Sequence, residues 1–264
     1  MPELAPRQLI LTLYGLYARA EHDWLSVGSV VKLLGDLGVD SAGVRSSVSR
    51  LKRRGVLESM RQDGAAGYAL SARTVEVLRE GDERIFGRRR AAPDDPLVLV
   101  LFSVPEAERD KRHQLRATLS RMGFGTAAPG VWVAPGHLHD EAARTLDRLG
   151  LQPYVDLFCA HYSAFGGLRE RIGKWWDLPA IDAECAGFVE RYRDLRPGTA
   201  PLDAFRTYVP LLTEWRRLPY LDPGLPLELL PEPWHAAEAA DLFARLDAVL
   251  REPARQHAHA TLHP

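Results

Sequence analysis

The stretch from Leu25 to Leu70, LSVGSVVKLLGDLGVDSAGVRSSVSRLKRRGVLESMRQDGAAGYAL, constrains the fold more than any other. Val27, Val30, Val31, Leu34 and Leu37 recur at helical spacing. Gly38-Val39-Asp40 breaks the pattern, and Ser41 is placed to cap a second helix with Val44, Val48 and Leu51 as its buried stripe. Gly55 follows, a residue that tolerates the left-handed geometry on which helices end. Val56–Met60 and Gly67–Leu70 read as two short strands, with residues 64–67 as a flexible tip. Helix, turn, helix, hairpin is the order of a winged helix–turn–helix.

With that stripe inward, the second helix turns Arg45, Ser46, Ser49, Arg50, Lys52, Arg53 and Arg54 outward. A helix entering the major groove needs short hydroxyls near its start and cations toward its end. Serine fits close to base edges or phosphate oxygens, and arginine binds guanine bidentately. Lys52, Arg53 and Arg54 suit phosphates, a sequence-independent and salt-dependent contact. Ser41 at the helix start and Arg61 on the wing complete the expected DNA-binding set. A solvated amphipathic helix also carries cations, and it is the order of elements that favours DNA.

The charge balance has to be divided before it bears on this. The 264 residues carry a net charge of −1. Residues 1–90 hold 15 Lys and Arg against 11 Asp and Glu, net +4, and the remainder 19 against 24, net −5. A cationic reader on an acidic body suits a regulator better than a histone-like coat. No run of 18 apolar residues suggests a membrane span, and MPELAPRQ lacks the pattern of a secretory signal. Cys159 and Cys185 are too few for a disulfide framework or zinc cluster, so the expectation is a cytoplasmic protein without metal or cofactor.

Arg7–Ala20 is an apolar helical stretch expected to pack behind the module, and Ser71 opens a helix to Phe86 with Val75, Leu78, Ile85 and Phe86 on its apolar side. Gly87–Asp95 reads as a linker whose Arg88, Arg89 and Arg90 are solvated or touch the DNA backbone. Leu97–Val104 is a strand suited to burial on both faces. A helix over 106–122, two strands around Pro129-Gly130, a helix over 139–149 and a strand over 153–161 complete a β-α-β-β-α-β order, that of a ferredoxin-like split βαβ unit. From Phe165 the signals are helical: 165–176, 179–195, 201–218 and 234–251. The Pro-rich stretch 219–233 between the last two is expected to wrap the surface, and the tail QHAHATLHP to fray. The expected class is therefore α+β. A winged helix–turn–helix domain occupies 1–87, a ferredoxin-like domain 96–163 and a helical domain 164–252.

Three stretches carry a resemblance: VRSSVSRLKRRGVLE at 44–58, RHQLRATLSRMGFGTAAPGVWVAP at 112–135, and EWRRLPYLDPGLPLELLPEPW at 214–234 with AADLFARL at 239–246 behind it. Through them the chain resembles the PaaX family of phenylacetate-catabolism transcriptional repressors, from about Leu9 to Leu250. The resemblance implies a homodimeric repressor on a partly palindromic operator, released by an aryl-coenzyme A thioester such as phenylacetyl-coenzyme A. It also implies a central part similar to the CRISPR adaptation nucleases, which makes a metal-dependent nuclease the alternative. Those nucleases place a metal-binding Asp at the end of the first strand. Here that strand ends Phe102-Ser103-Val104-Pro105, with no acid before Glu106. No Gly-x-Ser-x-Gly elbow, HExxH or Walker loop is present, and no catalytic residue is expected. The wing departs from the family in its uncharged tip, where Arg61 is the one nearby cation.

Candidate effector contacts are Trp175, Trp176 and Trp215 as aromatic walls, with Arg216 and Arg217 for coenzyme phosphates. Aromatic residues at helical spacing are more often core, and the two arginines serve equally well to anchor the turn at Asp222. His161 near a strand end is expected to be a hydrogen-bonded structural residue.

Overall fold

The computed structural model describes residues 4–163 and 166–263, so Phe165, the expected start of one helix, lies outside the described residues, as do the first three residues and Pro264. The chain divides into two compact units that exchange segments. The first takes the chain as far as Asp82, with Glu190–Arg216 and the stretch from Ala240 onward. The second takes Glu83–Val189 and Arg217–Ala239.

The elements of the first stretch are α1 (Pro6–Tyr17), β1 (Trp24–Ser26), α2 (Val27–Asp36), α3 (Ser41–Arg53), β2 (Leu57–Gln62), β3 (Ala65–Leu70) and α4 (Ala72–Phe86). Leu33 and Leu34 bury α2 together with Val30, whereas Val31 and Leu37 are only half-buried. The three strands form one antiparallel sheet in the order β1-β3-β2. β1 is too short to show a periodicity of its own and is absent from the sequence pattern. It exists because it pairs with β3, Trp24 opposite Ala69 and Ser26 opposite Gly67. The expected flexible tip is also corrected. Gln62 pairs with Ala65, leaving a two-residue turn of Asp63 (φ 50°) and Gly64 (φ 81°). Asp-Gly with positive φ at both positions matches the twist of the flanking strands. Gly67 is no hinge: a Cβ there would lie 2.4 Å from the Leu25 carbonyl oxygen and the Trp24 ring.

The second unit is built on an antiparallel sheet of β4 (Leu97–Phe102), β5 (Gly125–Ala128), β6 (Val131–Pro135) and β7 (Val155–Ala160), in the order β5-β6-β4-β7. Two helices, α5 (Arg109–Arg121) and α6 (His139–Arg148), complete its β-α-β-β-α-β sequence. Alternation along β4 sends Val98 and Val100 to a core shared with Leu119, Phe124, Trp132 and Ala142. Leu97 and Leu99 join a second core with Ile172, Trp176, Leu225 and Leu230. β4 is thus covered on both faces at its start, as its unbroken apolar run requires.

The remaining helices are α7 (Leu168–Trp175), α8 (Leu178–Tyr192), α9 (Pro201–Trp215), α10 (Leu218–Leu221) and α11 (His235–Leu262). Two expectations fail here. The Pro-rich stretch lies on the surface only in its second half: Pro219, Asp222, Pro223, Gly224, Leu225 and Pro226 are buried, whereas Leu227, Glu228, Pro231, Glu232 and Pro233 are exposed. Asp222 is the reason. Its carboxylate accepts from Arg88, from Arg90 at 2.9 Å and from Trp234 Nε1 at 3.3 Å, and Arg88 also donates to the Ala236 carbonyl at 2.6 Å. Arg88 and Arg90 therefore clamp this segment within their own unit. Nor is the tail frayed. Leu250, Ala254, Ala258 and Thr261 continue the buried stripe of α11. His257 Nε2 lies 2.8 Å from Asp36 at the end of α2, and His263 Nε2 3.0 Å from Glu21. Of the apolar side expected for α4, Phe86 is 40% exposed, while the guanidinium of Arg84 is buried against Glu141 and the Met122 and Pro219 carbonyls.

Candidate nucleic-acid interface

The geometry of the interface starts with two helix caps. Ser26 Oγ accepts from Ser29 N at 3.0 Å and fixes the start of α2. Gly38, at φ 81°, turns the chain toward α3. Asp40 caps α3, one residue earlier than the sequence suggested, and its Oδ1 accepts from Ala42 N and Gly43 N, each at 2.8 Å. These two bonds, Gly43's first, hold the Asp40 carboxyl below the usual carboxylate range. Asp outdoes Ser41 because an ionised acceptor also meets the positive end of the helix dipole. Ser41 is then the first residue of the helix, exposed, and its Oγ accepts from Arg45 Nη2 at 3.3 Å.

Val44, Ser47, Val48 and Leu51 bury one side of α3. Ser41, Arg45, Ser46, Ser49, Arg50, Lys52, Arg53 and Arg54 are all exposed. The spacing sets Arg45, Ser49 and Lys52 in one row and Ser46, Arg50 and Arg53 in the next. The helix contains no acid, so its outer face is cationic, with the charge concentrated in the last turn. The β2–β3 hairpin adds little charge. Arg61 is exposed on β2, and its guanidinium folds over the turn to donate to the Gly64 carbonyl at 2.6 Å. Lys52 is partly committed too: its Nζ sits 5.7 Å from the centre of the Tyr68 ring on β3, within cation–π range. The Tyr14 hydroxyl, from α1, donates to the Tyr68 carbonyl at 3.2 Å and ties this strand to the helical core. Sequence periodicity carried no signal for Tyr68, Trp24 or Asp40 as parts of this surface.

The five candidate effector contacts fall in different units. Trp175, Trp176 and Arg217 line one cavity of about 430 Å³ in the second unit. Trp215 belongs to the core of the first unit, 1% exposed and stacked on Phe243 at 4.6 Å with the planes 10° apart. Arg216, in that same unit, donates to the Gln8 carbonyl at 3.3 Å. His161 is exposed rather than built into the structure. Among the described residues, no cluster of His, Cys, Asp and Glu is arranged to hold a metal ion, and no helix is long and apolar enough to cross a membrane.

Comparison with known proteins gives three matches in order along the chain. Residues 5–74 match a family model described as PaaX-like protein, residues 90–172 one described as the PaaX protein central Cas2-like domain, and residues 176–260 one described as the PaaX-like protein C-terminal domain. A curated relative, the transcriptional repressor PaaX of Escherichia coli (strain K12), is 28% identical over 246 residues, covering 89% of this chain and 77% of the relative. Among solved structures, the uncharacterized protein Rv0674 from Mycobacterium tuberculosis superposes with a TM-score of 0.59 at 21% identity. That match covers 97% of this chain and 98% of the other, and it speaks to the fold alone. With three models of one family laid in order along nearly its whole length, this chain belongs to the PaaX family.

Proposed function

We propose that this chain is a DNA-binding transcriptional repressor of an aromatic-acid catabolic operon, and not an enzyme. The observation that carries the reading is α3: an acid-free helix with Val44, Val48 and Leu51 turned inward and Arg45, Ser46, Ser49 and Arg50 turned outward. The name of the curated relative, a transcriptional repressor, supports the same conclusion. α2, the turn at Gly38, α3 and the β2–β3 hairpin form a winged helix–turn–helix in which α3 enters the major groove. Arg45 and Ser46 read base edges, Arg50 and Ser49 follow, and Lys52, Arg53, Arg54 and Arg61 hold phosphates. The strand order β5-β6-β4-β7 supports a ferredoxin-like reading of the middle segment.

The repressor acts as a homodimer on a partly palindromic operator, in which two recognition helices reach half-sites about one helical turn apart, roughly 34–36 Å. An aryl-coenzyme A thioester, of which phenylacetyl-coenzyme A is the first to try, binds preferentially to a different spacing of the reading heads. It thereby lowers operator affinity by linkage.

Electrophoretic mobility shift against genomic fragments tests this, with and without the thioester. Arg45→Ala should cost about 1–3 kcal/mol at the base it reads and relax discrimination there. Arg53→Ala should weaken all sequences alike and lower the slope of log affinity against log salt by roughly one. Identical behaviour of the two variants refutes the division of roles, and an affinity indifferent to every acyl thioester refutes the effector.

A further inference from the structure

We infer that the cavity of the second unit binds a small aromatic zwitterion, of which an aromatic α-amino acid is the simplest member. Its volume of about 430 Å³ lies within the range of small-molecule sites, roughly 300–1,000 Å³. One wall is aromatic and immobile. Trp132 and Trp176 are both 7% exposed, and Trp176 Nε1 donates to the Gly123 carbonyl at 2.8 Å, which fixes the ring at the edge of the cavity. Trp175 is half-buried and held edge-on, 6.1 Å from Trp176 and 6.0 Å from Tyr162 between ring centres. A flat ring docks on such a wall by offset stacking or edge contact.

The charges around the same cavity select what that ring carries. Arg217 and Glu184 both line it and both are exposed. Among the described residues, neither side chain makes a hydrogen bond or ion pair, with the other or with anything else. Two ion pairs of this unit are built into its interior, Arg84 with Glu141 and Arg90 with Asp222. The third charged residue, Asp177, accepts from Ala180 N at 3.2 Å at the start of α8 and is already engaged. The lining thus offers one uncommitted cation and one uncommitted carboxylate beside an apolar wall.

A plain hydrocarbon ring leaves both charges unused. A ring with a single carboxylate meets Arg217 but also two carboxylates, and the polyanionic half of a coenzyme thioester meets the same pair. A ring carrying both a carboxylate and an ammonium group satisfies Arg217 and Glu184 together. The inference does not depend on the operator reading, because binding is measured without DNA.

The experiment is isothermal titration of the full chain with L-phenylalanine, phenylacetate and 2-phenylethylamine. L-Phenylalanine should bind at least about tenfold more tightly than either singly charged analogue, one charge-assisted contact being worth about that factor. Arg217→Gln should weaken L-phenylalanine and phenylacetate by about tenfold and leave 2-phenylethylamine unchanged. Glu184→Gln should do the reverse, weakening L-phenylalanine and the amine and sparing phenylacetate. Both residues are exposed, so neither variant disturbs the core, and circular dichroism establishes that it folds. The inference is overturned if L-phenylalanine fails to bind, binds no more tightly than its analogues, or keeps its affinity in either variant.

Discussion

Removing the Asp222 carboxylate should unfold the second unit more readily than any single truncation of an exposed charge. The Asp222 side chain is 1% exposed, and it is the shared acceptor for Arg88, Arg90, Trp234 Nε1 and the backbone N–H of Gly224, the last at 2.9 Å. Asp222→Ala strips the counter-charge from two guanidiniums whose side chains are 15% and 21% exposed. Breaking one side of a buried ion pair costs about 3–5 kcal/mol, because the remaining charge stays buried without compensation. Arg88 keeps its bond to the Ala236 carbonyl and Arg90 its bond to the Leu225 carbonyl, so the lower end of that range, about 3 kcal/mol, is expected. Asp222→Asn keeps the shape but loses the charge and turns one of two occupied acceptor oxygens into an NH2 donor facing donors, so it should still cost about 2 kcal/mol or more.

The pH dependence follows with a definite sign. Burial pushes the Asp222 carboxyl upward, but Arg88 and Arg90 outweigh it and hold it below the ordinary carboxylate value. A carboxyl depressed in the folded state contributes stability that is complete above its unfolded pKa, about 3.9. That contribution drains away as pH falls through the folded value. Urea unfolding followed by tryptophan fluorescence measures both effects. The gap between wild type and Asp222→Asn should stay constant from neutral pH to about pH 4 and close below it. A loss under about 1 kcal/mol for Asp222→Ala, or a gap that closes between pH 7 and pH 5, refutes the clamp.

Two further outcomes follow from the first unit. Gly67→Ala would put a Cβ 2.4 Å from the Leu25 carbonyl oxygen, which cannot retreat without opening the β1–β3 pairing. It should cost about 1–3 kcal/mol by overpacking and weaken DNA binding through the displaced wing, and a variant of wild-type melting temperature counts against the reading. Truncating the chain after Glu252 removes the buried Ala254, Ala258 and Thr261 and the His257–Asp36 contact. A loss of about 2 kcal/mol or more should lower the melting temperature by roughly 4–8 °C, read by differential scanning calorimetry. An unchanged transition would mean that the last turns of α11 are not part of the core.

Much of the outer face of α3 was legible in residue order because helix periodicity is a local property. Val44, Val48 and Leu51 repeat every three or four residues, and that alone turned Arg45, Ser46, Ser49 and Arg50 to solvent. The alternating elements of residues 97–160 were legible for the same reason. Three features were not. Asp40 and Ser41 are both good caps, and only the backbone path shows which one sits at the first turn. Trp24–Ser26 is too short for any period to show, and becomes a strand because β3 offers it a partner. Trp175, Trp176, Trp215, Arg216 and Arg217 looked alike as candidate contacts, yet three of them line a cavity, one is packed on Phe243 and one reaches the Gln8 carbonyl.

By itself the sequence determined which faces of which helices are apolar, where the chain turns, and its likeness to a repressor family, since each depends on neighbours a few residues away. Only the tertiary structure decided that Arg88 and Arg90 close on Asp222 rather than on DNA, and that the first half of a proline-rich stretch lies inside. It alone decided that a histidine-bearing tail docks against α2. Those outcomes turn on charges and apolar surfaces more than a hundred residues apart, whose pairing depends on how the folded chain brings them together and on the cost of leaving them buried alone.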